Sequence, residues 1–395
     1  MRHMSGQTEL MWGEEVIALE AATDWTEYKL GDLAEITSSK RIFYSDYVPS
    51  GVPFFRSKEI IDRYNRRAGG SELFIGEERF LEIKNKFGVP ETGDILLTSV
   101  GTLGIPYLVE QKDRFYFKDG NLTWFRKINT KIINADYLLA WITSDIGKQK
   151  LDEIAIGSTQ AALTIVGLKG LTIDLPTIAE QHAIAGVLRS LNDKINLFHR
   201  QNATLEALAE TLFRQWFVEE SKEEWNEGVL GDLFTLQRGF DLPTQNRVPG
   251  EFPIITSSGY SAGHNEYKIK GPGVTTGRSG VIGKVFFVME DFWPLNTSLF
   301  IKEYKLGTPL FCYFTLKFVD LESFNAGSAV PTLNRNHVHA HVAAIPPKEL
   351  IEAFEETAYP HFVKIYQNTK QIQTLTNLRD TLLPKLMSGE VRVAY

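Results

Sequence analysis

One order of residues occurs twice in this chain, and that duplication limits its fold more than any other feature. Gly157-Ser158, Leu163, Leu175-Pro176, Gln201, Thr204-Leu205, Leu208 and Thr211-Leu212 return as Gly327-Ser328, Leu333, Ile345-Pro346, Gln371, Thr374-Leu375, Leu378 and Thr381-Leu382. Each matched pair is separated by 170 positions, as 327 is from 157. Upstream the match is looser. Leu30-Gly31-Asp32-Leu33 corresponds to Leu230-Gly231-Asp232-Leu233 at 200, Gly101-Thr102-Leu103-Gly104 to Gly280-Val281-Ile282-Gly283 at 179, and Asn121 and Phe125 to Asn296 and Phe300 at 175. A globular part followed by a helix, twice over, implies one mechanical unit used twice with two divergent binding surfaces.

The 395 residues suit two cores rather than one. No apolar run reaches the roughly 20 residues of a membrane span, and the start lacks the apolar stretch of a signal peptide, so a cytoplasmic protein without membrane association is expected. A single cysteine, Cys312, excludes a disulfide framework and a cysteine-based zinc site. The net charge is −7, yet seven basic residues lie between Lys40 and Arg67 against three acids. A local basic face can hold phosphates on an acidic protein, although on charge alone the cluster reads first as a solvated surface.

Residues 1–27 read as a loosely ordered lead-in. The first globular part, 28–175, shows short strands at Val52-Pro53-Phe54-Phe55, Asp94-Ile95-Leu96-Leu97, Tyr107-Leu108-Val109 and Leu122-Thr123-Trp124-Phe125, then a helix from Ala135 to Leu151. The second, 227–345, follows the same plan, with its helix over Leu310–Phe318. Each is expected to be a strand-rich mixed α/β domain.

The segments 176–226 and 346–395 read as long helices. The first begins at Thr177 or its neighbour, just past Pro176. It carries a heptad seam, Ile184, Leu191, Phe198, Leu205 and Leu212 with Leu188, Ile195, Asn202, Ala209 and Trp216. The second matches it with Phe354, His361, Asn368, Leu375 and Leu382, and with Ala358, Ile365, Ile372, Arg379 and Leu386. Pro360 predicts a bend or a delayed straight portion, and Ser388-Gly389 a stop. Each seam holds one asparagine. A buried amide needs a partner, so Asn202 and Asn368 are expected to meet and set the register. Opposing them in an antiparallel pair sets Trp216 against Phe354, Leu205 against Ile365, Phe198 against Ile372 and Leu188 against Leu382. Leu191 against Arg379 and Ala209 against His361 are the exceptions. A parallel pairing would put both asparagines against apolar residues.

Catalytic motifs are missing. Gly277-Arg278-Ser279-Gly280-Val281-Ile282-Gly283-Lys284 fails as a phosphate loop, because Arg278 stands where the first glycine is needed and Val285 where Ser or Thr would hold magnesium. His337, His339 and His341 alternate as they would along a strand edge, without a partner at metal-ligand spacing. A base methyltransferase would need a glycine-rich cofactor loop and an Asn/Asp-Pro-Pro-aromatic motif; Pro346-Pro347 is followed by Lys348. The chain reads as a binder without chemistry of its own, catalytic and metal residues both being absent.

Leu175-Pro176-Thr177-Ile178-Ala179-Glu180-Gln181-His182-Ala183-Ile184-Ala185 at the first long helix, Leu-Gly-Asp-Leu at the head of each globular part, and the duplicated order together resemble the specificity subunit of a type I restriction-modification system. Glu180-Gln181 has no counterpart in the second copy, where Leu350-Ile351 stand. The resemblance implies an α+β fold: two target-recognition domains joined by two antiparallel helices in a coiled-coil spacer, with an internal pseudo-two-fold repeat. It implies a subunit that reads a bipartite, asymmetric target in duplex DNA. Two methyltransferase subunits would dock on it, joined by motor-nuclease restriction subunits. S-adenosylmethionine, ATP and magnesium would belong to those partners. Donors and cations suited to base edges and phosphates are Lys40, Arg41, Arg56, Ser57, Lys58, Arg63, Arg66 and Arg67 in the first domain. The second offers Arg238, Thr256, Ser257, Ser258, His264, Asn265, Lys268, Thr276, Arg278 and Ser279. Lys118, Lys284 and Arg335 suit phosphates, and the loops Gly157–Gln160 and Gly327–Val330 either approach the backbone or are plain turns. A coiled-coil adaptor that binds no DNA and an enzyme with an unrecognised site are the competing readings.

Overall fold

The structure, a computed structural model, describes residues 10–12, 15–18, 25–65, 67, 70–157, 161–220, 225–325 and 329–394. Contacts divide the chain into two units: Met1–Ile195 with Thr374–Tyr395, and Asn196–Gln373. Each unit therefore contains one globular part and one portion of both long helices.

In the first unit the central sheet is antiparallel, ordered Glu35–Thr37, Leu122–Arg126, Ile95–Thr98, Pro106–Leu108. Ile95, Leu96, Leu97 and Phe125 on it are fully buried, so these strands read as apolar runs. A second sheet sets Val52–Phe55 between Tyr116–Phe117 and Phe74–Ile75, with Tyr47–Val48 at its edge. Thr26–Lys29 pairs antiparallel with Thr172–Leu175 and closes the unit beside the long helix. The lead-in is not featureless: Leu10–Trp12 and Glu15–Ala18 pair, and the latter also pairs with Arg392–Val393.

The second unit repeats the plan. Its antiparallel sheet runs Phe234–Arg238, Ser298–Tyr304, Gly273–Gly277, Val285–Val288. A smaller sheet joins Gly259–His264, Phe252–Thr256 and Trp293–Pro294, and Asn226–Val229 closes against Val342–Ile345. The repeat reaches the backbone: Gly101, Gly104, Gly280 and Gly283 all have left-handed φ, +81°, +74°, +90° and +86°, which explains why glycine recurs in both hairpin loops. Leu30–Leu33 and Leu230–Leu233 each form a single helical turn whose two leucines are buried.

The helix expected over 135–151 is instead two, Ala135–Thr143 and Asp145–Glu153. Ser144 is extended; its amide bonds back to Ala140 and its Oγ accepts the Gly147 amide at 3.1 Å, so one residue ends one helix and caps the next. A side chain at Gly147 would strike the Trp141 carbonyl, which holds the two helices this close. The alternating histidines do not form a strand. Arg335–His339 is a helical turn, and His339 Nε2 accepts the Leu236 amide at 2.8 Å.

The first long helix spans Ile178–Arg214 and ends in a π-helical turn, Gln215–Glu219. Thr177 caps its start, accepting the Glu180 amide at 3.3 Å. The second spans Lys348–Met387 and is helical on both sides of Pro360. It stops at Gly389, φ +72°. Within the second unit Trp216 packs edge-on against Phe354 at 6.2 Å, and Asn368 Nδ2 donates to Asn202 Oδ1 at 2.9 Å. Within the first, Arg379 donates to Asn192 at 3.1 Å and Arg392 to Glu180 at 2.6 Å. In both units one number falls as the other rises, so the helices are antiparallel. The Arg379 head reaches a polar neighbour and Asp380, which resolves its awkward place opposite Leu191.

Candidate nucleic-acid interface

The first domain's basic run does not form an open cationic face, because the fold brings distant acids to it. Arg56 bonds Glu59 at 2.7 Å and Glu72 at 3.0 Å, and Lys58 shares Glu72. The Glu59 and Glu72 hydrogen bonds push the Arg56 guanidinium further up, and Lys58, then Arg56, hold the Glu72 carboxyl below its usual range. Arg63 bonds Asp113 at 3.2 Å and the Tyr107 hydroxyl at 2.8 Å, and its guanidinium lies 4.7 Å above the Phe55 ring. Arg63 is exposed but already paired within its own domain. Arg67 sits 3.7 Å from Asp62 and Arg41 3.0 Å from Asp119, both with exposed side chains. Lys40 lies over Phe87, and Lys118 is 4.0 Å from Asp119. The Ser57 hydroxyl is buried without a partner. Arg66 and the loop residues 158–160 and 326–328 lie outside the described residues.

In the second domain the polar candidates separate into two groups. Thr276 is fully buried and its hydroxyl donates to the Lys284 carbonyl across the hairpin, so it cannot reach a base. His264 is also buried, bonded to Val248 and packed edge-on to Trp293 at 5.3 Å. Ser257 is buried beside Thr297. These three hold the fold, because their partners lie across strands that sequence spacing does not connect. Arg238, Ser258, Asn265 and Lys268 remain exposed. Lys268 is steadied 4.6 Å over the Trp293 ring, and Arg238 lies 3.5 Å from Asp241. Arg278 and Ser279 are half-buried, their amides bonded to the Thr297 carbonyl, and Arg278 Nε donates to the Asn296 carbonyl at 3.0 Å. Thr256 is half-buried, bridging Ser258 and the Gly259 carbonyl. Among the described residues no group of His, Cys, Asp and Glu could hold a metal ion, and no helix is long and apolar enough to cross a membrane.

Glu180 and Gln181 are both fully buried at the head of the first long helix. Gln181 accepts the Asn134 amide at 2.9 Å and donates to the Ile132 and Pro176 carbonyls at 2.9 and 3.0 Å. Glu180 receives two bonds from Arg392, at 2.8 and 2.6 Å. One polar pair thus ties the helix start to its own domain and to the C-terminal strand. In the second copy Ile351 fills the corresponding place as a buried apolar residue.

The family model for the type I restriction modification DNA specificity domain matches this chain twice, over residues 22–207 and 222–350. The chain belongs to that family. A type I restriction enzyme specificity subunit of Methanocaldococcus jannaschii, MjaIX, is 26% identical over 94% of each chain. A second relative, the HindI specificity subunit of Haemophilus influenzae, is 24% identical over 58% of this chain and 49% of its own. The crystal structure of a type I system S subunit from M. genitalium has the same fold, with a TM-score of 0.67, 17% identity and coverage of 93% of this chain and 97% of that one. As a specificity subunit the chain recognises DNA and carries no catalysis; in such systems that lies in other subunits. Two matched segments, each covering one strand-rich part, agree with two readers joined by long paired helices.

Proposed function

We propose that this specificity subunit reads a bipartite, asymmetric duplex target, one half with residues 28–175 and the other with residues 227–345. Segments 176–226 and 346–395 serve as the spacer and as the dock for two methyltransferase subunits, with restriction subunits joining that core. The lead-in, 1–27, stands outside both readers. S-adenosylmethionine, ATP and magnesium belong to the partners, and the complex acts in the cytoplasm. The observation that carries this reading is one backbone plan in both units with different residues on matching loops. Identical frames with divergent surfaces suit two unlike half-sites.

The cations and donors that stay accessible are the proposed DNA contacts: Lys40, Arg41 and Arg67 in the first domain, Arg238, Ser258, Asn265 and Lys268 in the second. Arg56 and Lys58 can join them only by exchanging Glu72 for a phosphate, since a surface ion pair is worth about 0–1 kcal/mol and is readily traded. Co-expression with the cognate methyltransferase and mapping of methylated positions across a genome tests the reading. A single motif of two unlike halves around a fixed spacer is expected. Binding to the partner without salt-dependent affinity for duplex DNA would instead indicate the adaptor.

A further inference from the structure

The loop after the first strand of each central sheet is built alike in the two units. Tyr44–Asp46 and Thr244–Asn246 are short 3-10 turns 200 positions apart. Both close with the same bonds: the Asp46 amide to the Phe43 carbonyl at 3.0 Å, and the Asn246 amide to the Pro243 carbonyl at 2.9 Å. Both are anchored by a buried apolar residue just before the turn, Ile42 and Leu242. The anchors agree, and the tips do not. The first tip is Phe43-Tyr44-Ser45; the second is Pro243-Thr244-Gln245, all exposed.

The first tip is unusual for a surface. Tyr44 is 93% exposed and Phe43 60%, two neighbouring aromatics left in water. Exposed aromatic pairs of this kind mark interaction sites. The Tyr44 ring stands edge-on to Tyr47 at 6.4 Å, and Tyr47 stands edge-on to the fully buried Phe54 at 5.3 Å. A ladder of rings therefore leads from the core to the tip. The Asp46 carboxylate turns inward, accepting the Phe43 amide at 2.9 Å and lying 4.0 Å from Arg79. Lys40 and the exposed Arg41 flank the turn, and the Lys40 amide is fixed by the Tyr116 hydroxyl at 2.7 Å. An exposed aromatic tip beside cations has the chemistry of a wedge placed among bases while neighbouring charges hold phosphates.

We propose that these turn tips enter the duplex and decide which bases each half-site accepts, Phe43 and Tyr44 by apolar contact in the first and Thr244 and Gln245 by hydrogen bonding in the second. This rests on the two-reader function proposed above. It assigns specificity to four residues outside the basic and polar candidates named from the sequence. The signal in the sequence is the 200-position correspondence, with anchors kept and tips changed.

The test uses the full chain in complex with its methyltransferase partner, mapping methylated motifs and measuring affinity for the wild-type target. Tyr44→Ala removes a ring the core does not need, so it is expected to melt at the wild-type temperature. It should make at least one position of the first half-site degenerate, lower affinity for the wild-type target about fivefold or more, and leave the second half-site unchanged. Tyr44→Phe should keep the motif. The exchange Phe43→Pro, Tyr44→Thr, Ser45→Gln should alter the first half-site alone. A wild-type complex that marks a bipartite motif which Tyr44→Ala leaves intact, with affinity within twofold, overturns this proposal and spares the two-reader function. A wild-type complex that marks no bipartite motif overturns both.

Discussion

Replacing the two seam asparagines should have unequal effects. Asn368 is fully buried; its Nδ2 donates to Asn202 at 2.9 Å and to Gln201 at 3.3 Å, while its Oδ1 has no partner. Asn202 is only half-buried and its own Nδ2 reaches Thr369 at 3.4 Å. The pair is therefore not reciprocal. Asn202→Leu removes the better acceptor and leaves Asn368 the longer Gln201 bond, costing about 1–2 kcal/mol. Asn368→Leu gives up two bonds worth about 0.5–1.5 kcal/mol each, but it also removes an unsatisfied buried oxygen costing about 1–3 kcal/mol. Asn202 and Gln201 then return to water. The net effect should be neutral or stabilising by about 1 kcal/mol, with looser helix register, since a buried polar pair disfavours shifted alignments. Hydrogen–deuterium exchange of the helix segment around residue 368, for both single variants and the double, reads the local opening free energy. The double should resemble Asn368→Leu alone. If Asn368→Leu costs as much as Asn202→Leu, the oxygen is satisfied and the reasoning fails.

Arg392→Met should destabilise the first unit by about 3–5 kcal/mol, because it strands the buried Glu180 carboxylate, and adding Glu180→Met should recover most of that in thermal denaturation. His339 gives a pH signature. Burial, then Arg335 and Lys305, hold its imidazole below the ordinary value, and the neutral ring is what accepts the Leu236 amide. With the folded value depressed, its contribution is complete above the ordinary value near about 6.5 and is lost as pH falls through the lower folded value. Melting temperature should thus fall between pH 7 and pH 5 more steeply for the wild type than for His339→Gln; parallel curves would remove His339 as the cause. Replacing residues 227–345 by another reader of the family should change one half-site in methylation maps and keep the other, and a change in both would refute independent reading.

The duplication, the strands at 52–55 and 122–125, a helix start at Thr177 or its neighbour, a stop at Ser388-Gly389 and the antiparallel helix seam were legible in the sequence. Each rests on local rules: period, capping chemistry and the demand that apolar residues and lone amides find cover. The matched hairpin glycines belong here too, since their left-handed backbone is a property of single residues. Contacts between distant segments were not legible. The run from Lys40 to Arg67 looks cationic until Glu72, Asp113 and Asp119 are brought to it. Thr276 and His264 look like base readers until the hairpin and Trp293 enclose them. Ser144 divides a helix that periodicity would continue, because its extended backbone ends one helix and its hydroxyl caps the next, with Gly147 allowing the close approach to Trp141. Pairing and burial depend on which surfaces approach in space. Spacing along the chain therefore determined the repeat and the rods, and only tertiary structure decided which charges and donors stay exposed and which are paired or buried.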